Sequence, residues 1–454
     1  MFQSRNPATE ELLIEYFPHS SREVQSIIQK TSKAQNQWQE VTFSERSARM
    51  QKAADVIRSH KAEYARLITL EMGKPILQSE AEIEKCATVC EYYADHAEEF
   101  LSNKTIETEA SESYVSYAPL GVILAVMPWN FPFWQVFRFA VPALMAGNAS
   151  LLKHASNVMG CAMAIESVFR EAGFPDALFR SLKIGSQSVS EIIENPLVKA
   201  VTLTGSVGAG IAVAKKAGEA LKKTVLELGG SDPYIILEDA NLEAAIDTCV
   251  KSRLFNGGQS CIAAKRFIVL ESIYDEFVER FVATMKKKKM GNPLEEQYDL
   301  GPQAMVSLRD ELHNQVKQSI DKGAKCMLGG TLPHMKGAWY PPTVLSYVRP
   351  GMPAFDEELF GPVAAIIRAK DQNEAVRIAN DSVFGLGAAV FTQDIAMGKF
   401  MAEHLLEAGS CFVNAMVQSD PRLPFGGIKQ SGYGRELSCF GIKEFVNIKT
   451  VYVQ

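Results

Sequence analysis

The segment NGGQSC at 256–261 ends on the side chain best suited to covalent chemistry in this chain, the thiol of Cys261. Two glycines, a glutamine and a serine offer little apolar surface, so the segment fits a core position poorly. If Cys261 opens a helix, the positive end of the helix dipole lowers its thiol pKa, and the glycines let the backbone approach a ligand. The pattern favours a nucleophile, and an inert buried thiol is the alternative.

A candidate base stands in LELGG at 226–230, where Glu227 ends an apolar run and is followed by two glycines. Apolar surroundings raise the pKa of a carboxyl group towards neutrality, which would make Glu227 a usable general base. The alternative is a strand-end carboxylate held in a salt bridge.

The motif PWNFP at 128–132 places Asn130 in a loop fixed by two prolines, where its side-chain amide can donate to a developing oxyanion. Arg138 follows eight residues later, within an aromatic helical stretch. A guanidinium among aromatic side chains needs an anion, so we expect either a structural carboxylate or an anionic substrate beside Arg138.

The run VTLTGSVGAG at 201–210 predicts a strand that enters Gly205 and Ser206 and continues as a helix. Free backbone N–H groups at such a helix start can hold a phosphate. The spacing is not G-x-G-x-x-G, so a plain strand-to-helix turn is equally compatible with it. The four features together supply a nucleophile, a base, an oxyanion donor and a pyrophosphate cradle, which suggests redox chemistry at an acyl group.

The elements that must position these residues follow from the apolar pattern. A chain of 454 residues predicts two or three domains. Residues 20–105 have helical spacing, and from residue 121 short apolar runs alternate with helices, in two series that meet near residue 233. This order predicts two α/β lobes with largely parallel sheets. Segments 112–118 and 444–454 alternate like strands and suit a small sheet for subunit pairing, or else edge strands of one domain.

Composition excludes several classes of function. The 47 Lys and Arg against 53 Asp and Glu give a net charge of −6, so we expect no nucleic acid partner. The longest apolar stretch, 121–152, contains an arginine and three prolines and does not predict a membrane span. Eight scattered cysteines lack zinc-site spacing, and the first residues do not resemble a presequence, so we expect no metal site and a cytoplasmic protein with reduced thiols.

Six motifs in order, PWNFP, TGSVGAG, LELGG, GQSC, EELFGPV and PFGGIKQSGYGRE, resemble the NAD(P)-dependent aldehyde dehydrogenase superfamily over nearly the whole chain. The resemblance implies an α/β fold with a Rossmann-like cofactor lobe, a catalytic lobe and a small β oligomerisation element. It places the cofactor-binding domain at residues 1–105 and 119–228, the catalytic domain at 229–426, and the oligomerisation element at 106–118 and 440–454. A homodimer or homotetramer is expected.

The resemblance also implies roles. The Cys261 thiolate would attack an aldehyde, Asn130 and the Cys261 N–H would hold the oxyanion, hydride would pass to NAD or NADP, and Glu227 would activate water to hydrolyse the thioester. The implied cofactor-binding residues are Trp129, Lys153, Ser156, Gly205, Ser206, Glu358 and Phe360.

Within the family, LLKHASNVMG at 151–160 is similar to a bacterial branch of short succinate semialdehyde dehydrogenases, in which Arg138 and Ser419 would bind the substrate carboxylate. Phe255 stands where some of these enzymes have a second carboxylate-binding arginine. Ser156 replaces the glutamate that binds the adenosine ribose in strictly NAD-dependent relatives, so NADP use is open. Ser231 follows ELGG at a position where the family more often has Lys or Asn, and no mechanistic role depends on it.

Several alternatives stay open at this point. Another acidic aldehyde, such as glutarate semialdehyde, differs by one methylene, which is worth only about 1–3 kcal/mol in a pocket. A CoA-acylating relative typically lacks the base that Glu227 supplies, and a cysteine hydrolase needs a histidine signature that is absent. A catalytically retired binding protein of the same fold is disfavoured by the presence of both Cys261 and Glu227.

Overall fold

The computed structural model describes all 454 residues. The N-terminal part is a short hairpin followed by four helices: β1 (Phe2–Arg5), β2 (Leu12–Tyr16), α1 (Ser21–Trp38), α2 (Phe43–Ser59), α3 (Lys61–Met72) and α4 (Ile76–Phe100). The expected helical region at 20–105 is therefore confirmed. Capping boxes at Ser20 and Thr42 fix the starts of α1 and α2.

A first α/β series follows. Its elements are β3 (Lys104–Thr105), β4 (Glu112–Pro119), β5 (Val122–Met127), α5 (Trp134–Met145), β6 (Ala149–His154), α6 (Met159–Glu171), β7 (Phe179–Ser181), α7 (Val189–Glu194), β8 (Val198–Thr204), α8 (Val207–Glu219) and β9 (Lys223–Glu227). The predicted strands and helices of this region are present, with bounds that shift by a few residues.

The second series continues to the C-terminus. Its first half is β10 (Pro233–Ile236), α9 (Leu242–Leu254), β11 (Arg266–Leu270), α10 (Tyr274–Lys286), α11 (Val306–Asp321), β12 (Lys325–Leu328), β13 (Thr343–Ser346), α12 (Pro353–Asp356) and β14 (Val363–Ala369). Its second half is α13 (Gln372–Asn380), β15 (Phe384–Gly385), β16 (Gly387–Phe391), α14 (Ile395–Phe400), β17 (Ser410–Val413), β18 (Ile428–Lys429), β19 (Gly432–Tyr433), α15 (Ser438–Gly441) and β20 (Val446–Val453).

Two large sheets organise the molecule. The first has six strands in the order β19-β9-β8-β5-β6-β7, and the second has seven in the order β12-β13-β14-β11-β10-β16-β17. Both are parallel apart from one edge strand each, β19 and β12. The predicted α/β class with two mostly parallel sheets is confirmed. The domain boundaries that the sequence suggested stay a prediction.

Burial on both faces explains the apolar strand sequences of the second sheet. Ile235 and Ile268 face one apolar core, while Tyr234 and Phe267 face another on the opposite side. Parallel strands covered by helices on both sides need apolar residues at every position rather than alternate ones. The first sheet packs with α1 to α8 into the largest core of the molecule.

A third, antiparallel sheet joins distant parts of the chain. β20 pairs with β4 along its whole length, and β3 pairs with the other edge of β4. The side chains of Ile448, Tyr452 and Val453 on β20 are exposed. No helix of the molecule has both the length and the apolar character that a membrane crossing requires.

Candidate active site

The loop that carries Cys261 has an unusual backbone. After α9 the chain makes a short 3-10 turn in which Asn256 and Gly257 have left-handed φ angles of 55° and 62°. Gly258 continues with φ 76°, and a Cβ on this residue would overlap the carbonyl oxygen of Gly361. Gly258 is thus required by a close approach of two protein segments, and the approach of a ligand to this glycine-rich backbone stays a prediction.

Cys261 does not begin a helix, so the condition under which the sequence analysis expected a helix dipole to lower its thiol pKa is not met. Residues 261–263 form a turn that leads into β11. The ammonium of Lys265 holds this turn, donating to the carbonyl oxygens of Ser260 (3.0 Å), Cys261 (2.8 Å) and Ala263 (3.2 Å). Lys265 is only 1% exposed and had no signal in the sequence.

The environment raises the pKa of the Cys261 thiol to about 12, and burial is the largest cause. The positive charges of Arg138 and Lys265 offset this rise in part. A thiol with a raised pKa is a weak nucleophile until a base removes its proton. The site therefore needs a general base close to Cys261.

Asn130 is tied to the same loop. Its side-chain amide donates to the carbonyl oxygen of Gln259 at 3.1 Å. The amide of Asn256 donates to the carbonyl oxygens of both Asn130 (2.7 Å) and Gln259 (3.0 Å). A primary amide has two N–H donors, so Asn130 retains a second N–H for a ligand beside Cys261.

Glu227 is the last residue of β9 and is only 2% exposed. Neither of its carboxylate oxygens accepts a hydrogen bond of normal geometry. Burial raises the pKa of Glu227 to about 8. Arg138 opposes this rise, and the carboxylate of Glu436 reinforces it. The predicted raised pKa is confirmed, and the salt-bridge alternative for Glu227 is wrong.

Arg138 lies on α5 and forms a buried ion pair with Glu436. Its guanidinium also lies 4.7 Å from the centre of the Phe425 ring and donates a long hydrogen bond, 3.4 Å, to the Thr204 hydroxyl. The structural carboxylate that the sequence offered as one option is therefore present. Glu436 is the last residue of the motif PFGGIKQSGYGRE. The motif drew attention to this segment, but it did not indicate that Glu436 pairs with Arg138.

Cys261 lies at the junction of two cavities. One, of about 390 Å³, has a wall that includes Trp129, Asn130, Gly205, Ser206, Leu228, Glu358 and Phe360. The other, of about 270 Å³, has a wall that includes Lys85, Phe131, Trp134, Arg138, Lys251, Phe255, Ser419 and Phe425. An extended ligand in the first cavity and a small one in the second would meet at Cys261.

The larger cavity begins at the start of α8. Ser206 caps this helix by accepting a hydrogen bond from the Ala209 N–H at 3.4 Å, which leaves the first N–H groups of the helix free for an anion. The rings of Trp129 and Phe360 pack edge to face, with their centres 5.7 Å apart. The cavity thus contains N–H groups that can bind a phosphate and two aromatic rings that can contact a planar ring of a ligand. This combination, in a cavity of this size, fits a dinucleotide.

Glu358 lies beside the cysteine turn. It accepts a hydrogen bond of 3.1 Å from the Gly230 N–H and forms an ion pair of 3.4 Å with Lys265. Burial raises the pKa of this carboxyl group. Lys265 therefore connects a residue of the larger cavity to the carbonyl oxygen of Cys261.

Lys153 and Ser156 do not line the larger cavity. Lys153 is near the end of β6, and Ser156 begins a 3-10 turn directly after it. Burial lowers the pKa of the Lys153 ammonium. Lys153 within β6 and Ser156 just beyond it both lie at the carboxyl end of this parallel strand, the edge where ligands of such sheets bind.

The smaller cavity contains a lysine that sequence reasoning missed. Lys85, on α4, donates a hydrogen bond of 2.7 Å to the hydroxyl of Ser419 and lies 4.2 Å from the centre of the Trp134 ring. Burial, followed by the charge of Arg138, lowers the pKa of Lys85 to about 8. Lys85 forms no ion pair with a carboxylate of the protein within 4.0 Å, in contrast to Arg138.

The sequence model of one protein family, the aldehyde dehydrogenase family, matches residues 1–451. The chain belongs to the aldehyde dehydrogenase family. The resemblance carried by the six motifs is confirmed over the whole chain.

Curated relatives of this aldehyde dehydrogenase include a probable NADP-linked succinate semialdehyde dehydrogenase of Synechocystis, which is 48% identical over 99% of this chain and 98% of the relative. An NAD(P)-linked succinate semialdehyde dehydrogenase of Escherichia coli is also 48% identical, over 99% of this chain and 97% of the relative. The crystal structure of succinic semialdehyde dehydrogenase from Streptococcus pyogenes with NADP is 36% identical over 100% of both chains, with a TM-score of 0.98. The predicted fold is thereby confirmed.

Proposed function

We propose that this aldehyde dehydrogenase oxidises succinate semialdehyde to succinate, with NADP or NAD as the hydride acceptor. The observation that carries the proposal is the cavity beside Cys261, in which the cationic side chains of Lys85 and Arg138 and the hydroxyl of Ser419 converge. A small aldehyde with a carboxylate at its far end complements such a cavity. The names of the relatives in Synechocystis and Escherichia coli support the same substrate.

The first half-reaction uses three residues of this chain. Glu227 takes the thiol proton of Cys261, and the sulfur attacks the aldehyde carbon to give a thiohemiacetal. The Asn130 side-chain amide and the Cys261 N–H donate to the oxygen that becomes negative. When bound, the dinucleotide supplies the hydride acceptor that converts this adduct to a thioester.

The second half-reaction again depends on Glu227. Once the proton taken from the thiol has passed from Glu227 to solvent, the carboxylate of this residue accepts a proton from a water molecule, whose oxygen attacks the thioester carbon. The carbon–sulfur bond breaks, the acid leaves, and the Cys261 sulfur takes a proton back from Glu227, which restores the thiol and the carboxylate. A carboxylate with a pKa of about 8 is well matched to proton transfer near neutral pH.

The cofactor would be held in the larger cavity and at the neighbouring strand ends. The proposed contacts are Trp129, Lys153, Ser156, Gly205, Ser206, Glu358 and Phe360. Ser156 carries no carboxylate that would repel the 2′-phosphate of NADP. The ammonium of Lys153, at the end of the same strand, would attract this phosphate. Both NADP and NAD therefore fit the side chains of this chain.

Turnover with both cofactors tests the proposed function. Purified protein with succinate semialdehyde should reduce NADP or NAD and form one succinate for each reduced cofactor, as measured by absorbance and product chromatography. Cys261→Ala should bind cofactor and lose turnover. Turnover of the Cys261→Ala variant, or no succinate from the wild-type protein, would contradict the proposal.

We further propose that the protein is a homodimer or homotetramer in the cytoplasm, and the three-stranded sheet supports the pairing of subunits. On its strand β20, Ile448 and Tyr452 are exposed on one face and Val453 on the other. A strand with exposed apolar side chains at the edge of a molecule is suited to pairing with a second subunit. Light scattering of the purified protein measures the number of subunits.

A further inference from the structure

We infer that Glu82 and Gln78, one turn apart on α4, are positioning residues that fix the side chain of Asn130 against the loop of Cys261. Their role is indirect, because each accepts hydrogen bonds from the backbone of a loop that carries the chemistry. The inference rests on the proposed function, in which Asn130 donates to the oxyanion. It concerns a helix that contains none of the six motifs of the sequence.

The first argument is the start of α5, which has no side-chain cap of its own at Phe133. Oε1 of Glu82 instead accepts hydrogen bonds from the backbone N–H groups of Phe133 (2.9 Å) and Trp134 (3.0 Å). The first N–H groups of a helix have no partner within it, and a carboxylate there also favours the positive end of the helix dipole. Glu82 therefore fixes the point at which the PWNFP loop enters α5, three residues after Asn130.

The second argument is that Glu82 is itself held in place. Its other oxygen pairs with the ammonium of Lys74, and both side chains are almost completely buried. The same ammonium lies 3.9 Å from the centre of the ring of Phe131, the residue after Asn130. Separating a buried ion pair leaves an uncompensated charge, so the carboxylate of Glu82 has little freedom to move.

The third argument is that the same helix face also holds the loop of the nucleophile. Oε1 of Gln78 accepts a hydrogen bond of 2.8 Å from the backbone N–H of Asn256, the residue whose left-handed φ turns the chain towards Cys261. The side chain of Asn256 then donates to the carbonyl oxygens of Asn130 and Gln259. Residues four apart lie on one face of a helix, so this face of α4 contacts both loops and sets their separation.

The separation matters because a donor stabilises a developing charge only where its geometry is set in advance. A misplacement of about 1 Å can cost about a hundredfold in rate. Residues 128–133, between β5 and α5, belong to no strand or helix that would hold Asn130 by itself. Glu82 and Gln78 provide that support from a regular helix outside both loops.

The test compares two double variants that both lack the buried ion pair. Lys74→Met with Glu82→Gln keeps an acceptor oxygen for the start of α5, whereas Lys74→Met with Glu82→Met has none. Both are also made in an Asn130→Ala background, and kcat for succinate semialdehyde with NADP is measured for all four. The rate at which iodoacetamide alkylates Cys261 is measured in parallel, because alkylation needs no oxyanion donor.

With Asn130 present, the variant that has methionine at position 82 should have a kcat about tenfold or more below that of its glutamine counterpart. In the Asn130→Ala background the two kcat values should agree within about twofold, because a donor that is absent cannot be misplaced. The alkylation rates of Cys261 in the two variants should also agree within about twofold.

Gln78→Met, which removes no buried charge, makes the same comparison if the methionine variant at position 82 does not fold. It should lower kcat with Asn130 present and have little effect in the Asn130→Ala background. Glu84→Gln is the matched control on α4, because the partner of Glu84 is the half-exposed Arg58. Glu84→Gln should keep the wild-type kcat.

A general structural effect predicts the same fold loss of kcat in both backgrounds, and that result would overturn the inference. Equal kcat values for the glutamine and methionine variants at position 82, together with a wild-type kcat in Gln78→Met, would overturn it as well. A wild-type protein that does not oxidise succinate semialdehyde, or an Asn130→Ala variant with the wild-type kcat, would instead contradict the proposed function itself.

Discussion

The ammonium of Lys265 donates a hydrogen bond of 2.8 Å to the carbonyl oxygen of Cys261 and forms an ion pair of 3.4 Å with Glu358. One buried cation therefore touches both the loop of the nucleophile and a residue of the cofactor cavity. The turn at 261–263 has no helix to hold it, and the carbonyl oxygens of Ser260, Cys261 and Ala263 converge on Lys265 instead. The position of the Cys261 sulfur depends on this arrangement.

Removing the charge of Lys265 should destabilise the protein and slow the reaction. Lys265→Met leaves Glu358 and three carbonyl oxygens without their buried cation, so we expect a loss of about 3 kcal/mol in the free energy of unfolding and a lower kcat. Denaturant unfolding and steady-state kinetics measure the two effects. Lys288→Met, which removes a half-exposed surface ion pair with Asp299, should cost under about 1 kcal/mol. Equal stability losses in the two variants would contradict the role of Lys265.

Glu227→Gln should stop turnover with little effect on the fold. A glutamine of nearly the same shape cannot accept the proton, so kcat should fall by about 10²–10⁴. No hydrogen bond to Glu227 is lost, and the variant should unfold at the same or a higher denaturant concentration than the wild-type protein. A Glu227→Gln variant with wild-type kcat would contradict the role of Glu227 as the base.

The rate should rise with pH as Glu227 loses its proton. Because the folded-state pKa is raised to about 8, the base form accumulates on going from neutral to mildly alkaline pH, and kcat should rise through that range. The same shift means that the protein loses stability as pH rises from the ordinary glutamate range towards 8, since deprotonation leaves an unpaired buried charge. Stopped-flow rates and unfolding curves across pH measure both effects.

Glu436→Gln tests the electrostatic origin of that pKa. Glu436 raises the pKa of Glu227, and Arg138 lowers it, so removing Glu436 leaves Arg138 to act on Glu227 alone. We expect the midpoint of the pH–rate profile to move to lower pH. A midpoint that stays in place or moves to higher pH would show that Glu436 does not act on Glu227 in this way.

Asn130→Ala should lower kcat by about 10²–10³, the usual effect of losing one oxyanion donor. The loop of Cys261 keeps its bond from the Asn256 amide to the Gln259 carbonyl, so the fold of the loop should survive. Steady-state kinetics measures the loss of kcat, and a cofactor titration shows whether the folded site is retained. A variant that binds cofactor normally and retains more than about half of the wild-type kcat would contradict the oxyanion role.

The sequence was sufficient for the parts of the molecule that depend on local patterns. Apolar runs predicted β5 to β9 of the first sheet and β10, β11 and β16 of the second, and the apolar end of β9 predicted the raised pKa of Glu227. The sequence left open whether Cys261 begins a helix, because a cysteine after a glycine-rich turn resembles a helix start when the buried cation of Lys265 is not visible. Local spacing carries no information about a side chain that reaches back to three carbonyl oxygens.

Contacts between distant segments were also beyond the reach of local spacing. Lys85 and Ser419 lie 334 residues apart in the chain, and Arg138 meets Glu436 across the same fold. Each of these pairs forms only after α4, α5 and the C-terminal segment have packed together. The sequence could state that Arg138 needs an anion, but not which one.

The central claim, that the cavity beside Cys261 selects an acidic aldehyde, is tested most directly by initial rates of cofactor reduction with succinate semialdehyde and with butanal. A kcat/KM advantage of about a hundredfold or more for succinate semialdehyde is expected, on the scale of about 2–5 kcal/mol for leaving a buried charge unpaired. Nearly equal values for the two aldehydes would contradict the claim, and would leave the cysteine mechanism of the family in place.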